Sequence, residues 1–388
     1  MSDLRELLPA PMKNSHPPLD LKRVKVLPLA KRRSLSTLAE ILIDPDQPPP
    51  PCPRAMLATI KDCAARIRSA RERDAAVTLM FGAHLVKNGL HAVVNRLVEK
   101  GFVTHLATNG AGVIHDWELS FLGKTAESVR ENVATGTFGA WEETGFNIHL
   151  ALLAGAPLGQ GFGQSVGRLI EEDGITLPSP MMLEKELRDA LTHPLAPARA
   201  ELLRAMVANK LAGGRVHVKH PHKKTSLLAN AFRQGVPFTV HPGIGYDIIA
   251  VHPMFRGAAI GRAADIDFRQ FGSSVERLDG GVVLSVGSAI MAPQVFEKSL
   301  SCVNNLRLQA NRAIVQDHSI YVVDLQDGGN WDWTQGEPPK DNAAYYLRFC
   351  KSFSRMGGEM KYVQCDNGVF LQNLLARLLA LNAGGPSA

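Results

Sequence analysis

The sequence predicts an α/β fold with a mostly parallel central sheet and helices on both faces. Short, continuous apolar runs alternate with stretches in which apolar residues recur every three or four positions. The runs then break abruptly into glycine, aspartate or serine. A continuous apolar run marks a strand buried on both faces, and strand–helix–strand with short connections marks a parallel sheet. The 388 residues exceed the usual domain size, yet no internal repeat or second break in composition divides them.

The first break in composition sets apart residues 1–55, a Pro-rich N-terminal arm, from an α/β domain at 56–388. Pro9, Pro11, Pro17 and Pro18 precede two basic stretches, Lys22 to Lys25 and Lys31-Arg32-Arg33. Ser34 to Glu40 reads as a short helix with serines available to cap it. Pro48 to Pro51 closes the arm in an extended form. The arm either lies over the globular body or a neighbouring subunit, or is a loose tail.

Met56, Ile60, Ala64 and Ile67 predict a helix from Arg54 to Arg73. Ala75 to Phe81 is the first strand, ending at Gly82. Leu90 to Val98 is a second helix, stopped by Gly101, and Phe102 to Ala107 a second strand running into Asn109-Gly110-Ala111-Gly112. A helical section follows at about 147–212. Val236 to Val240 is the next strand, with Pro237 near its start because proline cannot donate to a ladder. Gly281 to Val286 and Ser319 to Val323 complete the set.

Composition narrows the function. A net charge of +6 invites a nucleic-acid partner, but the basic residues are dispersed and aromatics are only 6%, so no nucleic-acid role is expected. Five scattered cysteines without a CxxC pair argue against a disulfide framework or zinc site. No apolar run has membrane-spanning length and no signal pattern opens the chain, so a cytoplasmic protein without membrane contact is expected.

In parallel sheets ligands sit beyond the carboxyl ends of the strands. Those ends carry Gly82-Ala83-His84, Thr108-Asn109-Gly110-Ala111-Gly112, His241 to Asp247, Gly287-Ser288-Ala289, and Asp324 to Gly329. Glycine admits a pyrophosphate close to the backbone, and helix N-termini favour anions, so these turns are either a nucleotide site or ordinary tight turns. Gly159 to Gly167 does not fit GxGxxG and reads as a loop or helix start. His217 to Ser226 reads as a solvated basic loop; the alternatives are a phosphate or carboxylate contact with Thr225 or Ser226 opening a helix, or a metal site, which its lysines oppose. Asp327, Trp331, Asp332, Trp333, Glu337 and Asp341 place carboxylates beside indoles, suited to an organic cation or to an acidic surface loop.

At these residues the chain resembles the deoxyhypusine synthase family, from about residue 75 to 380. Thr108 to Asp116 resembles the family's Thr-Thr-Ala-Gly-Gly-Val-Glu-Glu-Asp turn, and Gly82-Ala83-His84-Leu85 falls at its Thr-Ser-Asn-Leu. Gly243 to Asp247 with Val251-His252 resembles Gly-x-x-Gly-Asp…Phe-His, and Phe349-Cys350-Lys351 falls at Trp-Gly-Lys, ahead of Asp366. The resemblance implies a Rossmann-like fold, NAD as cofactor, a polyamine-type substrate and a homotetramer. It implies Lys351 as the lysine that captures an imine. Gly82, Ala83, His84, Thr108, Asn109, Gly110, Ala111, Gly112, Gly287, Ser288 and Asp366 would hold the cofactor. Asp247, Asp327, Asn330, Trp331, Glu337 and Phe349 would hold the substrate.

The chain also departs from that family. The run bearing the family's catalytic histidine becomes Ser285 to Ala292, where Met291 cannot accept a proton. An aspartate of the family falls near Asn330, and the Glu-Glu pair becomes Ile114-His115. A base would then be His115 or His84. The expected activity is therefore an NAD-dependent transferase acting on an amine other than in hypusine formation. The alternative is a non-redox nucleotide-binding protein with a repurposed pocket.

Overall fold

The computed structural model describes His16 and residues 18–383; Pro9, Pro11 and Pro17 of the arm lie outside the described residues. Six parallel strands form the central sheet: β1 (Val77–Phe81), β2 (His105–Asn109), β3 (Phe238–His241), β4 (Val282–Val286), β5 (Ser319–Asp324) and β6 (Glu359–Gln364). Their spatial order is β3-β2-β1-β4-β5-β6, the order in which two mononucleotide-binding halves meet at a reversal between β1 and β4. The α/β, Rossmann-like expectation holds.

Alternation along each strand divides the core in two. Val77, Leu79 and Phe81 face one apolar cluster while Met80 faces the other. The first cluster packs α1 (Arg54–Glu72), α3 (His91–Glu99), α4 (Gly110–Leu122), α6 (Phe162–Glu171), α7 (Leu227–Gln234) and α11 (Asn367–Ala383) against the sheet. The second packs α8 (Gly257–Glu276), α9 (Met291–Gln309) and α10 (Arg348–Ser354). Between β1 and α3 lies the short α2 (Ala83–Lys87), and α5 (Glu142–Gly155) follows α4.

α1 forms where its period predicts, with Ile60, Cys63, Ala64, Ile67 and Ala70 buried. Phe102 and Val103 belong to the lead-in of β2 instead of its ladder: they are buried, but the parallel pairing begins at His105. Before it, Thr104 donates both its N–H and its hydroxyl's bond to Val77, with the hydroxyl also accepting from Val77 N at 2.9 Å. β6 escapes prediction because Glu359-Met360-Lys361-Tyr362-Val363-Gln364 is an edge strand with mixed burial, lacking a continuous apolar run. The helical middle section is interrupted by an antiparallel pair, Gly174–Leu177 with Gly214–His217.

The described part of the arm packs on the body. Leu29 is fully buried, Leu27 exchanges backbone bonds with Ala140 and Glu142, and Ser36–Thr37 pairs with Lys124–Thr125. The short helix spans Leu38–Ile41 and is capped by Thr37 with Glu40, not by a serine. The carbonyl of Pro50 accepts from Asn373 at 3.0 Å.

The Gly159 to Gly167 stretch is a helix start. A Cβ on Gly163 would lie 1.8 Å from the carbonyl oxygen of Phe238, so the glycine lets α6 close on β3. Above this contact, Asp267 accepts from the N–H groups of Gly163 and Val240. The glycine is required by packing. Gly163→Ala should therefore destabilise the chain by about 1–3 kcal/mol. Gly261→Ala, in the exposed interior of α8 with open space around it, should stabilise it by about 0.5–1 kcal/mol. Urea denaturation of both variants checks the pair.

Candidate functional site

At the β1/β4 reversal two glycines meet. Gly82 donates to the carbonyl of Val286 at 3.3 Å, and a Cβ on it would lie 2.2 Å from the carbonyl oxygen of Gly287. Gly287 adopts φ +58, a left-handed conformation that other residues enter with strain. A Cβ there would lie 2.5 Å from Asn367. The two glycines thus let the tips of β1 and β4 close on each other and on Asn367, with half-buried Ala83 and exposed His84 on one side. Ser288, on the other, accepts from Ala292 at 3.3 Å. Asp366 accepts from Gly368 and Val369 at 2.8 and 3.1 Å, capping α11.

One strand along, the turn after β2 is filled by the protein's own groups. Thr108 donates its hydroxyl to Phe81 at 2.9 Å, and Asn109 caps α4 by accepting from Gly112 at 3.0 Å. A Cβ on Gly110 would lie 2.0 Å from Oδ2 of Asp247. The carboxylate of Asp247 therefore occupies the position at this helix N-terminus where an anion would otherwise bind.

Beside it opens a cavity of about 250 Å³ lined by Ala111, His115, Asp247, Lys87, Glu118 and Glu127. Arg32 of the arm and the apolar side chains of Ile114, Val129, Phe138 and Ile248 complete its wall. The structure thus brings together Asp247, His115 and Ala111 with four charged residues that the sequence reading did not single out. Two larger clefts, of about 360 and 370 Å³, flank the start of β3. The buried carboxylate of the first, Asp267, is already held by backbone N–H groups. The smaller cavity carries the denser set of convergent polar groups.

Its carboxylates differ in what holds them. Glu118 accepts both terminal nitrogens of Arg32, at 2.6 and 2.8 Å, in a pair with both side chains 1% exposed. It also accepts the hydroxyls of Thr125 (2.6 Å) and Thr144 (3.0 Å). Glu127 accepts from Gly139, Trp141 and Asn132. Asp247 accepts only from Gly243, at 2.8 Å. No cation pairs with it among the described residues, and burial pushes its carboxyl up to about 6. His115 is bonded through Nδ1 to the Thr125 hydroxyl at 2.7 Å. Burial is the largest influence on its imidazole, pushed down to about 4, with Glu118 opposing and Lys87, Arg32 and His84 reinforcing.

The remaining predicted residues lie elsewhere. Lys351, on α10, places its ammonium 3.2 Å from the centroid of the Tyr345 ring and does not line the cavity. Asp327 and Asn330 are exposed, and Asp327 accepts from Gly329. Glu337 pairs with Arg355. Trp331 donates its indole N–H to Gly336 at 2.9 Å, and Phe349 is buried in the second core cluster. The His217 to Ser226 segment makes a carboxylate contact: Ser226 opens α7 and donates to Asp116 at 2.6 Å. Within it Lys223 pairs with Asp173, and His220 is buried against Trp117.

No protein-family model and no curated protein matches the chain. Among solved structures it is similar to AgrE in its ternary complex with ornithine and NAD+, at 13% identity and TM-score 0.42, covering 86% of this chain. This chain spans about a third of the AgrE chain, 34% of its length. It is similar to a candidate LOR/SDH protein from Methanococcus maripaludis S2 (14% identity, TM-score 0.41, covering 92% of this chain and 77% of that one). A candidate deoxyhypusine synthase from Entamoeba histolytica gives 11% identity and TM-score 0.37, covering 84% and 89%. TM-scores this low assign neither family nor function.

The isolated Asp247 carboxylate has a measurable signature. Its folded pKa, about 6 against an ordinary 3.8, means the folded chain holds the proton longer than the unfolded chain does. Stability is therefore lost as pH rises through the window from about 4 to 6. Asp247→Asn lacks this loss. Its melting temperature minus that of the parent should grow across that window and level off above it.

Proposed function

We propose that the chain is a nicotinamide-dinucleotide-dependent enzyme acting on a small amine. Asp247 carries this reading: a buried carboxylate with no cationic partner among the described residues, facing a cavity of molecular size. Taken at formal charge, Asp247, Glu118 and Glu127 against Arg32 and Lys87 leave one net negative charge in the wall. An ammonium group supplies the missing counter-charge, and the apolar wall suits a short carbon chain.

The residues at the sheet reversal fit a dinucleotide. The glycine pair Gly82 and Gly287 brings the tips of β1 and β4 together at the reversal, where a pyrophosphate would lie with Ala83, His84 and Ser288 beside it. Thr108 to Gly112 fit a supporting role, because their polar groups already hold Asp247 and the start of α4. Asp366 likewise supports the crevice by capping α11. A nicotinamide dinucleotide bound there supplies a hydride acceptor for the carbon next to nitrogen.

The chain's own groups do the rest. Asp247 orients the ammonium through its second oxygen. His115, neutral near physiological pH, takes the proton the ammonium gives up before carbon is oxidised. A lysine ammonium then gives up its proton, its amine attacks the iminium carbon, and the released ammonia carries that proton away as ammonium, so nitrogen, protons and charge balance. Lys87 lines the cavity and Lys351 does not, so this capture is assigned to Lys87.

Titrating NAD+ in a calorimeter and following reduced cofactor with a panel of diamines and amino acids tests the proposal. Heat of binding and amine-dependent reduction are expected. Asp247→Asn should lower kcat/KM for the amine by about 100-fold, the scale of losing one member of a buried charge pair, while NAD+ binding persists. Borohydride trapping with peptide mapping should mark Lys87; a mark on Lys351 would reassign the capture. NAD+ binding without reduction by any amine would favour the non-redox reading.

A further inference from the structure

We infer that Arg32, Glu118 and Thr125 form a positioning relay that fixes His115 as the Nδ1-protonated tautomer, with the Nε2 lone pair turned to the cavity. The inference rests on the proposed function for what that lone pair does, but the tautomer itself exists without substrate or cofactor.

Proton counting gives the direction of every bond. An ionised carboxylate has no hydrogen to give, and Glu118 accepts four bonds, two from Arg32 and one each from Thr125 and Thr144. Thr125 has a single hydroxyl proton, and at 2.6 Å that proton goes to Glu118. Its remaining short contact is with Nδ1 of His115, at 2.7 Å. The hydroxyl has no second proton for that contact, so the imidazole must donate. A neutral imidazole that donates from Nδ1 carries its lone pair on Nε2. The ring is the state a general base needs.

Arg32 sets the sign of the relay. Glu118 is buried, and a buried carboxyl deprived of its cation takes up a proton. It would then donate to Thr125, Thr125 would donate to Nδ1, and the proton of the imidazole would move to Nε2. The base would be blocked without any change in the position of His115. With Arg32 in place, a proton arriving on Nε2 makes an imidazolium whose charge is answered by Glu118 through Thr125, and no second proton need move. The charged groups around the ring are Lys87 and His84 from α2, Arg32 from the arm, Glu118 from α4 itself, and Asp247 and Glu127 from the cavity wall. Glu118 is the one in contact with the ring through a hydrogen-bonded bridge.

The test is the 15N spectrum of the full chain labelled at histidine, near neutral pH, with the His115 signals identified by their loss in His115→Gln. The expected spectrum has a protonated Nδ1 and an unprotonated Nε2. Thr125→Val should abolish the preference and Thr125→Ser should restore it. Arg32→Gln should reverse it wherever that variant folds. A parent chain whose His115 is protonated on Nε2, or doubly protonated, would overturn the relay, as would Thr125→Val with an unchanged spectrum. Because no ligand is present, these outcomes stand apart from any failure of the amine or NAD+ assays. In turnover, Thr125→Val should lower kcat by about 100-fold with little change in KM, the scale of lost general-base catalysis.

Discussion

Glu118 sits in the middle of α4 with 1% of its side chain exposed, and its charge must be answered inside the protein. Breaking such a pair by removing one partner costs about 3–5 kcal/mol. The answers come from three separate parts of the chain. Arg32 reaches it from the arm, Thr125 from the short strand that pairs with Ser36–Thr37, and Thr144 from α5. The wall of the cavity is therefore assembled around one carboxylate. The arm is integral to it: without Arg32, Glu118 loses its cationic partner and the hydroxyl bond that links it to His115 reverses direction.

The topology of the sheet places this cavity where chemistry is possible. A reversal in strand order separates the connections at the tips of the two strands flanking it, here brought into close contact through Gly82 and Gly287. The next tip along, after β2, would offer a second anion site at the N-terminus of α4. Asp247 fills it instead. A helix N-terminus stabilises that carboxylate, while burial without a cation disfavours its charge. The balance leaves a carboxylate without a cation among the described residues, one strand along from the glycine pair at the reversal.

Much of the fold is legible in the sequence because buried parallel strands have a one-letter signature: an unbroken apolar run. β1, β3, β4 and β5 announce themselves that way, and β2 does so with its start displaced by a buried lead-in at Phe102 and Val103. β6 is not legible by that signal, since an edge strand mixes exposed and buried residues. The site is less legible. Asp247 and His115 stand out by resemblance and by chemistry, but Lys87, Glu127 and Arg32 come together only through tertiary contacts. One signal for Glu118 was present: Trp117-Glu118-Leu119 sets a charge inside an otherwise apolar helix, and such a charge demands a partner. Nothing local indicates that the partner is Arg32, 86 positions away. The acidic, aromatic loop after β5 looked equally suited to a cation, yet its carboxylates turn to their own backbone and to Arg355.

The position of a dinucleotide relative to Asp247 decides whether the cavity is its amine site. A crystal structure of the chain grown with NAD+ measures this directly. The pyrophosphate is expected beside Gly82 and Gly287, with the nicotinamide ring directed to the cavity that holds Asp247 and His115. A dinucleotide bound at another edge of the sheet, or a cavity opening away from the nicotinamide, would contradict it.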